Sequence, residues 1–482
     1  FIDAHVHFFT GAVTSSHHIC MDIEKSKSAD DCIRITKNHF DNYPDAERIL
    51  GFGWFPANWD DAPLPDKHSL DEAFPDKPAY LFCADAHTVW VNSKALEESN
   101  ITKNTIPPYG EVVKGADGEP SGILLEGACF LVMSKLTSFP PTILREIFTD
   151  FLKEIAAYGI TSLSDMTAST MDDDFIKLFS VIKEIEKDGC FTSRLNVYSS
   201  LGPCENYEAE KGLREKYGHS GIVRYAGLKH LVDGVTSTYT GLLLEPYSDR
   251  PDTCGMSNFD KRFYEEHVIR ANKENLGVRL HCIADKSVRW ALDIFEKSNK
   301  ENDNIGNMKG LKNSIEHIEH IHPDDIPRFK ELGVIASMQP YHLTLDVNEK
   351  IRRVGKERCM WEWPHRSLLD HGAILAFGTD YPVVSFNPFA NIYAATTRCA
   401  DDGQPTGCNP NERITLSEAL KAYTFGGAFS YDMENETGTL AEGKLADIVV
   451  INKNLFDIPL EEIPNCDVDL TICDGKVIFS RS

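Results

Sequence analysis

Two histidines separated by one valine, His5 and His7 in "FIDAHVHFF", close a short apolar run at the start of the chain. Residues two apart on a β-strand point to the same face, about 6.6 Å apart along it, so both imidazoles can reach one metal ion. Donor residues recur at or near the ends of later apolar runs: Lys229 in "LKHLVDG", His281 in "RLHC", His317 in "IEHIEHI" and Asp380 in "GTDYP". Each also has a structural reading. A buried lysine can pair with a carboxylate, a strand histidine can satisfy a backbone carbonyl, and an aspartate before Tyr-Pro can cap a turn. Together, nitrogen and oxygen donors at matching strand ends are the types that bind zinc or a similar divalent ion.

Such an ion lowers the pKa of its water to about 7, which makes hydroxide available at neutral pH, and it polarises a carbonyl. Asp380 beside that water could take its proton on attack and pass it to the leaving group. Such a site would hydrolyse a carbonyl compound without a covalent intermediate. Further candidates surround this set. His87, in "DAHTVWVN", could donate to the substrate carbonyl or be satisfied within its own segment. Gln339 and His342 lie at the end of the seventh apolar run and face the same opening if the register holds, although Gln339 could instead orient a ligand. Asp233 shares strand parity with Lys229 and is a candidate for fixing a ligand. Trp54, Trp59, Trp90, Trp361 and Trp363 could line an apolar pocket, though tryptophans more often pack in cores.

Eight β-rich segments could carry these residues: 1–7, 159–166, 194–200, 224–234, 277–284, 314–321, 333–340 and 374–382. Amphipathic stretches lie between most of them. In "TILREIFTDFLKEIAAYG", Ile143, Ile147, Phe148, Phe151, Leu152 and Ile155 form a stripe at helical spacing. Eight alternations predict an α/β protein, a (β/α)8 TIM barrel with catalytic groups at the C-terminal ends of its strands. The first strand and its following loop occupy 1–19. The interval to the second strand far exceeds an ordinary connection of about 2 to 6 residues, so residues 20–130 are expected to form an inserted capping subdomain. The rest of the barrel runs over 131–435, where "TLSEALKAYTFGGAFSYD" reads as a helix. A small sandwich-like β module follows at 436–482, with a turn at "DGK" between strands.

The formal net charge of −25 argues against nucleic acid and anionic membrane surfaces as partners and favours a small neutral or cationic substrate. No apolar run approaches the roughly 18 residues needed to cross a bilayer, and no basic-then-apolar leader opens the sequence. The thirteen cysteines are scattered and include no CxxC, which suits reduced thiols in a cytoplasmic protein.

The order HxH, Lys, His, His, Asp resembles the amidohydrolase superfamily. The stretches "GFGW", "DAHTVWVNSKAL", "GILLE", "GITSLSD", "LKHLVDG", "IEHIEHI", "SMQPYH", "AFGTDYPV" and "GTLAEGKLADIVVI" are similar, in order and over nearly the whole chain, to amidohydrolase family 3, which includes N-substituted formamide deformylases. The resemblance implies a more buried metal on His5 and His7, a carboxylated Lys229 bridging two metals, a second metal on His281 and His317, and an Asp380 that binds metal and moves a proton. An unmodified lysine ammonium has no lone pair to donate, so without that modification one ion is expected rather than two. The family usually has several dozen residues before the first strand, which pair with the segment matching "LADIVVI". Either this sequence lacks them, or the module is built from C-terminal strands alone. Glu319 stands where the family often has glutamine, and His320 is read as packing or as a partner behind a ligand.

The resulting expectation is a metal-dependent hydrolase of a carbon–nitrogen bond, acting on an N-acyl or N-formyl amide with an apolar substituent. Zinc is the expected ion, and a homodimer is the family-level expectation. Deamination of a heterocyclic amine or opening of a cyclic amide would use the same site. A catalytically silent barrel scaffold is the reading of a different kind, disfavoured because all six donors are present.

Overall fold

A computed structural model describes residues 1–481 apart from 57–58, 60–64, 85–86, 108–109, 167–172, 304–310, 346 and 401. The eight segments become eight strands: β1 (Ile2–Val6), β2 (Ser162–Asp165), β3 (Arg194–Ser200), β4 (Val223–Leu231), β5 (Val278–Cys282), β6 (Ser314–His317), β7 (Ile335–Met338) and β8 (Leu375–Phe377). They pair in chain order, all parallel. The residues after β8 complete the ring. Thr379 and Asp380 donate their N–H groups to the His5 carbonyl at 3.1 and 2.7 Å, and His7 donates to the Tyr381 carbonyl at 2.9 Å. Helices fill most of the intervals, as a right-handed crossover between parallel strands requires. The predicted amphipathic helix spans Pro141–Ala157, with Ile147, Phe148, Phe151, Leu152 and Ile155 buried.

The chain divides into two compact units, Phe1–Phe8 with Leu152–Ser482, and Phe9–Phe151. The boundaries read from sequence, 20 and 130, fall inside the second unit. That unit is built on a six-stranded mixed sheet with the order Cys20–Asp22, Ile49–Trp54, Ala79–Cys83, Thr88–Val91, Pro120–Leu125 and Glu111–Lys114. Its core contains Trp54, Trp59 and Trp90. Trp54 stacks on Trp59 at 5.5 Å, so these three rings are packing residues.

The C-terminal module is a three-stranded antiparallel sheet, β9 (Ile448–Ile451), β10 (Val468–Cys473) and β11 (Lys476–Ser480). Asp474 and Gly475 turn the last hairpin with φ of +52° and +75°, the conformation that favours an Asp-Gly pair at a two-residue hairpin turn. The module belongs to the same unit as the barrel. Thr471 donates its hydroxyl to the Ala156 carbonyl at 2.7 Å, and Arg194 on β3 meets Asp447 in a buried ion pair at 2.5 Å. The helix expected from "TLSEALKAYTFGGAFSYD" is interrupted. Leu416–Lys421 opens with a capping box on Thr415 and Glu418, Ala422–Gly426 widens to a π turn, and Gly427–Ser430 returns to α. The glycines accompany close approach: a Cβ at Gly426 would lie 1.9 Å from the Leu375 carbonyl oxygen.

Candidate metal centre

His5 lies within β1, His7 follows its end, and Asp380 lies three residues beyond β8. A buried aspartate brings the two segments together. Asp3 accepts from the N–H groups of His5 and Thr379 at 3.1 and 3.0 Å and from the Thr379 hydroxyl at 2.6 Å. Gly378 makes the approach sterically feasible, since a Cβ there would lie 2.4 Å from the His5 nitrogen and 2.7 Å from its Cβ. Gly378→Ala is expected to cost about 1–3 kcal/mol through overpacking and to displace His5 from Asp380. Melting temperature and metal content should fall together; if neither changes, the steric role is wrong.

Asp380 is the hub of the site. Its Oδ1 lies 3.0 Å from His7 Nε2 and 3.2 Å from His5 Nε2, and its Oδ2 lies 3.7 Å from His342 Nε2 and 3.9 Å from His317 Nδ1. Two groups of candidate ligands therefore share one carboxylate, His5 with His7 and His317 with His342, each group's donor atoms lying within 4.8 Å of one another. The His5 Nε2, His317 Nδ1, His342 Nε2 and Asp380 Oδ1 atoms are buried without a hydrogen-bond partner. Leaving such atoms unsatisfied is costly, and converging nitrogen and carboxylate donors are what a divalent cation takes. The residues fit an ion.

The protonation states agree with that fit. Burial alone would raise the Asp380 carboxyl, but His5, His7 and His317 hold it well below the usual carboxylate range. Burial, with His281 and His5 adding to it, pushes His317 well below an ordinary histidine, and burial also lowers His7 and His342. Ionised carboxylate and neutral imidazole are the ligating forms. At His5 the balance differs: burial and Lys229 lower its pKa, yet Asp380 and Glu316 raise it above the ordinary value.

Backbone strain gathers at the same place. Asp380, His317 and Ile318 have φ of +61°, +76° and +55°. For a β-branched residue such as Ile318 this region costs on the order of 1–3 kcal/mol and persists only when neighbours impose it. Here the Ile318 N–H donates to the Cys282 carbonyl at 3.1 Å, and the His320 N–H donates to Ile283 at 2.9 Å.

The remaining candidates divide. Lys229, on β4, is 2% exposed, and burial lowers its pKa to about 8. His281, on β5, has its ring 4.4 Å from that of His317, but its Nε2 lies 3.4 Å from the Gly234 carbonyl, and it stands outside both ligand groups found among the described residues. His342, expected to contact substrate, is inside one. Asp233 comes no closer than 4.0 Å to His281 in the contact between their charged atoms. Its oxygens instead accept from the N–H groups of Leu242, Ile283 and Ala284 and the Ser287 hydroxyl at 2.7–3.2 Å, which organises the chain after β5 rather than hydrogen-bonding a ligand. Gln339 is fully buried with both amide atoms unpartnered. His87 lies in the second unit, its Nδ1 2.6 Å from Glu126. Burial pushes the Glu319 carboxyl up, but His320 and Lys350 bring it to about 2.

Glu316 was not among the candidates. Its Oε2 lies 2.6 Å from His5 Nδ1, 311 residues away in sequence. A signal existed: Glu316 and Arg279 are charged residues inside segments that read as interior barrel strands, and buried charges need partners.

A parallel eight-stranded barrel that gathers a carboxylate and histidines at and just beyond the ends of its strands belongs among the metal-dependent hydrolases of the amidohydrolase kind. The chain is a member of the amidohydrolase family, which it matches over residues 1–479. It is thereby an enzyme of carbon–nitrogen bond hydrolysis that uses a divalent metal. It is 28% identical to Protein LONG AFTER FAR-RED 3 of Arabidopsis thaliana over 99% of this chain and 81% of that protein. It is 26% identical to the putative amidohydrolase YtcJ of Bacillus subtilis and 23% identical to the N-substituted formamide deformylase of Arthrobacter pascens, in both cases over 100% of this chain and 88% of the relative. An uncharacterized metal-dependent hydrolase from Pyrococcus furiosus superposes with a TM-score of 0.69 at 26% identity, covering 92% of this chain and 84% of that one. One from Pyrococcus horikoshii shares the fold, with a TM-score of 0.72 at 23% identity and coverage of 92% and 83%. Among the described residues no helix is long and apolar enough to cross a membrane.

Proposed function

We propose that this chain hydrolyses the carbon–nitrogen bond of a small N-acyl or N-formyl amide with an apolar substituent, using one or two zinc ions. The observation that carries the reading is the Asp380 carboxylate, buried between two histidine pairs, with the facing nitrogens of His5, His317 and His342 lacking hydrogen-bond partners. The candidate ligands are His5, His7, Asp380 and His317, with His281, His342 and Lys229 completing the set. A divalent ion supplies a water of lowered pKa and polarisation of the scissile carbonyl.

The chain's own residues do the rest. Asp380, kept ionised by its histidines, accepts the proton as the water oxygen bonds to the carbonyl carbon. It then delivers that proton to the amide nitrogen as the carbon–nitrogen bond breaks, releasing a carboxylic acid and an amine. Gln339, buried with a free amide N–H, is a candidate donor to the carbonyl oxygen as negative charge develops there. His87, with its Nδ1 engaged by Glu126, is a further candidate substrate contact. Lys229, with a pKa of about 8, has an appreciable neutral fraction near pH 8, the form that can react with carbon dioxide to become a carboxylate ligand. The formyl preference rests on the deformylase relative.

The test couples elemental analysis to a panel of N-formyl, N-acetyl and cyclic amides and heterocyclic amines. Stoichiometric metal with release of carboxylate and amine is expected. Ammonia released from heterocyclic amines alone would move the chain to the deaminases, and protein that neither holds nor responds to zinc, manganese or cobalt would be a scaffold.

A further inference from the structure

Glu316 is wholly buried, on β6 immediately before His317. One of its oxygens is held from below. Oε1 accepts from the Ser314 hydroxyl at 2.5 Å and faces Arg279 Nη1 at 3.4 Å. Arg279 is itself immobilised: Nη1 donates to the Ala4 carbonyl at 2.9 Å, Nη2 donates to the Ser430 carbonyl and hydroxyl at 3.0 and 2.9 Å, and the guanidinium lies 4.7 Å over the Tyr198 ring. A carboxylate anchored through one oxygen cannot turn, so the other presents an acceptor in a set direction. That oxygen, Oε2, meets His5 Nδ1 at 2.6 Å.

We propose that Glu316 is a positioning residue for the metal centre: its carboxylate holds the proton of His5 on Nδ1, so that the Nε2 lone pair is turned toward Asp380 and His7. The proposal rests on the metal-dependent reading above. A carboxylate behind a histidine ligand sets both the tautomer and the ring angle, and its loss typically weakens metal affinity about 10- to 100-fold. The competing role for Glu316, a counter-charge for Arg279 alone, predicts no such loss once the fold is preserved.

Glu316→Gln separates the two. Ser314 and Arg279 both donate toward Oε1, so the amide must turn its oxygen to them and its NH2 to His5. His5 Nδ1 then becomes the acceptor, the proton moves to Nε2, and the lone pair needed for the metal is gone. Glu316→Asp keeps the charge beside Arg279 but withdraws it from His5 by one methylene. Apoprotein melting reports the fold, and chelator competition with Zn2+ reports affinity. Both variants are expected to melt near the wild-type apoprotein and to bind Zn2+ about 10- to 100-fold more weakly. A folded variant of either kind with wild-type affinity overturns the proposal. Failure of both to fold also overturns it, because Glu316 is then a structural counter-charge. Wild-type protein that binds no Zn2+ overturns the hydrolase reading itself, whereas wild type that binds beside unchanged variants overturns the positioning role alone.

Discussion

Asp380→Asn is expected to lower turnover by roughly 10²- to 10⁴-fold, the range that a well-placed general acid–base contributes, while the fold and part of the metal content survive. Asparagine has nearly the same shape, so the contacts made by the Asp380 backbone, including its N–H bond to the His5 carbonyl at 2.7 Å, are retained. What changes is the chemistry of the side chain. A carboxylate offers a ligating lone pair both on the side of His5 and His7 and on the side of His317 and His342; an amide keeps its oxygen on one side and puts an NH2, which cannot ligate, on the other. One ligand group is therefore weakened, and no group remains at that position to take a proton from water. Turnover and metal content measured on the same preparation separate the two effects. High activity in the variant would remove Asp380 from proton transfer, and full metal content with no turnover would assign it to proton transfer alone.

Exhaustive chelation is expected to abolish hydrolysis and to lower the melting temperature, with both restored by a divalent ion. The physical basis is the orphaned donor set: without a cation, buried atoms of His5, His317, His342 and Asp380 have no hydrogen-bond partner. A ligand that binds only the native state adds stability as RT ln(1 + [L]/Kd), about 4 kcal/mol when free metal is 1,000 times Kd. Restoration should rank zinc, manganese and cobalt, which bears on the identity of the working ion. Activity that persists after the metal has been shown to be gone would exclude the mechanism, whatever the fold.

Much of this site was readable from local pattern. His5 and His7 lie on one strand, and the period of two that places them on one face is a property of the backbone alone. The eight strands and the Asp474-Gly475 hairpin turn were legible for the same reason, since apolar alternation and positive-φ turn chemistry are encoded within a few neighbouring residues. The π turn at Ala422–Gly426 was not, because its neighbours there, such as the Leu375 carbonyl, come from a distant strand.

Local pattern sets which residue types reach the strand ends, because a strand's direction and parity follow from its own alternation of side chains. Which of them meet depends on the packing of the folded barrel. The barrel brought Glu316 to His5, grouped His342 rather than His281 with His317 and Asp380, and engaged Asp233 with three backbone N–H groups and a serine hydroxyl. Distances between strands depend on how the whole ring packs and staggers, and a difference of an ångström or two there separates a ligand from a neighbour.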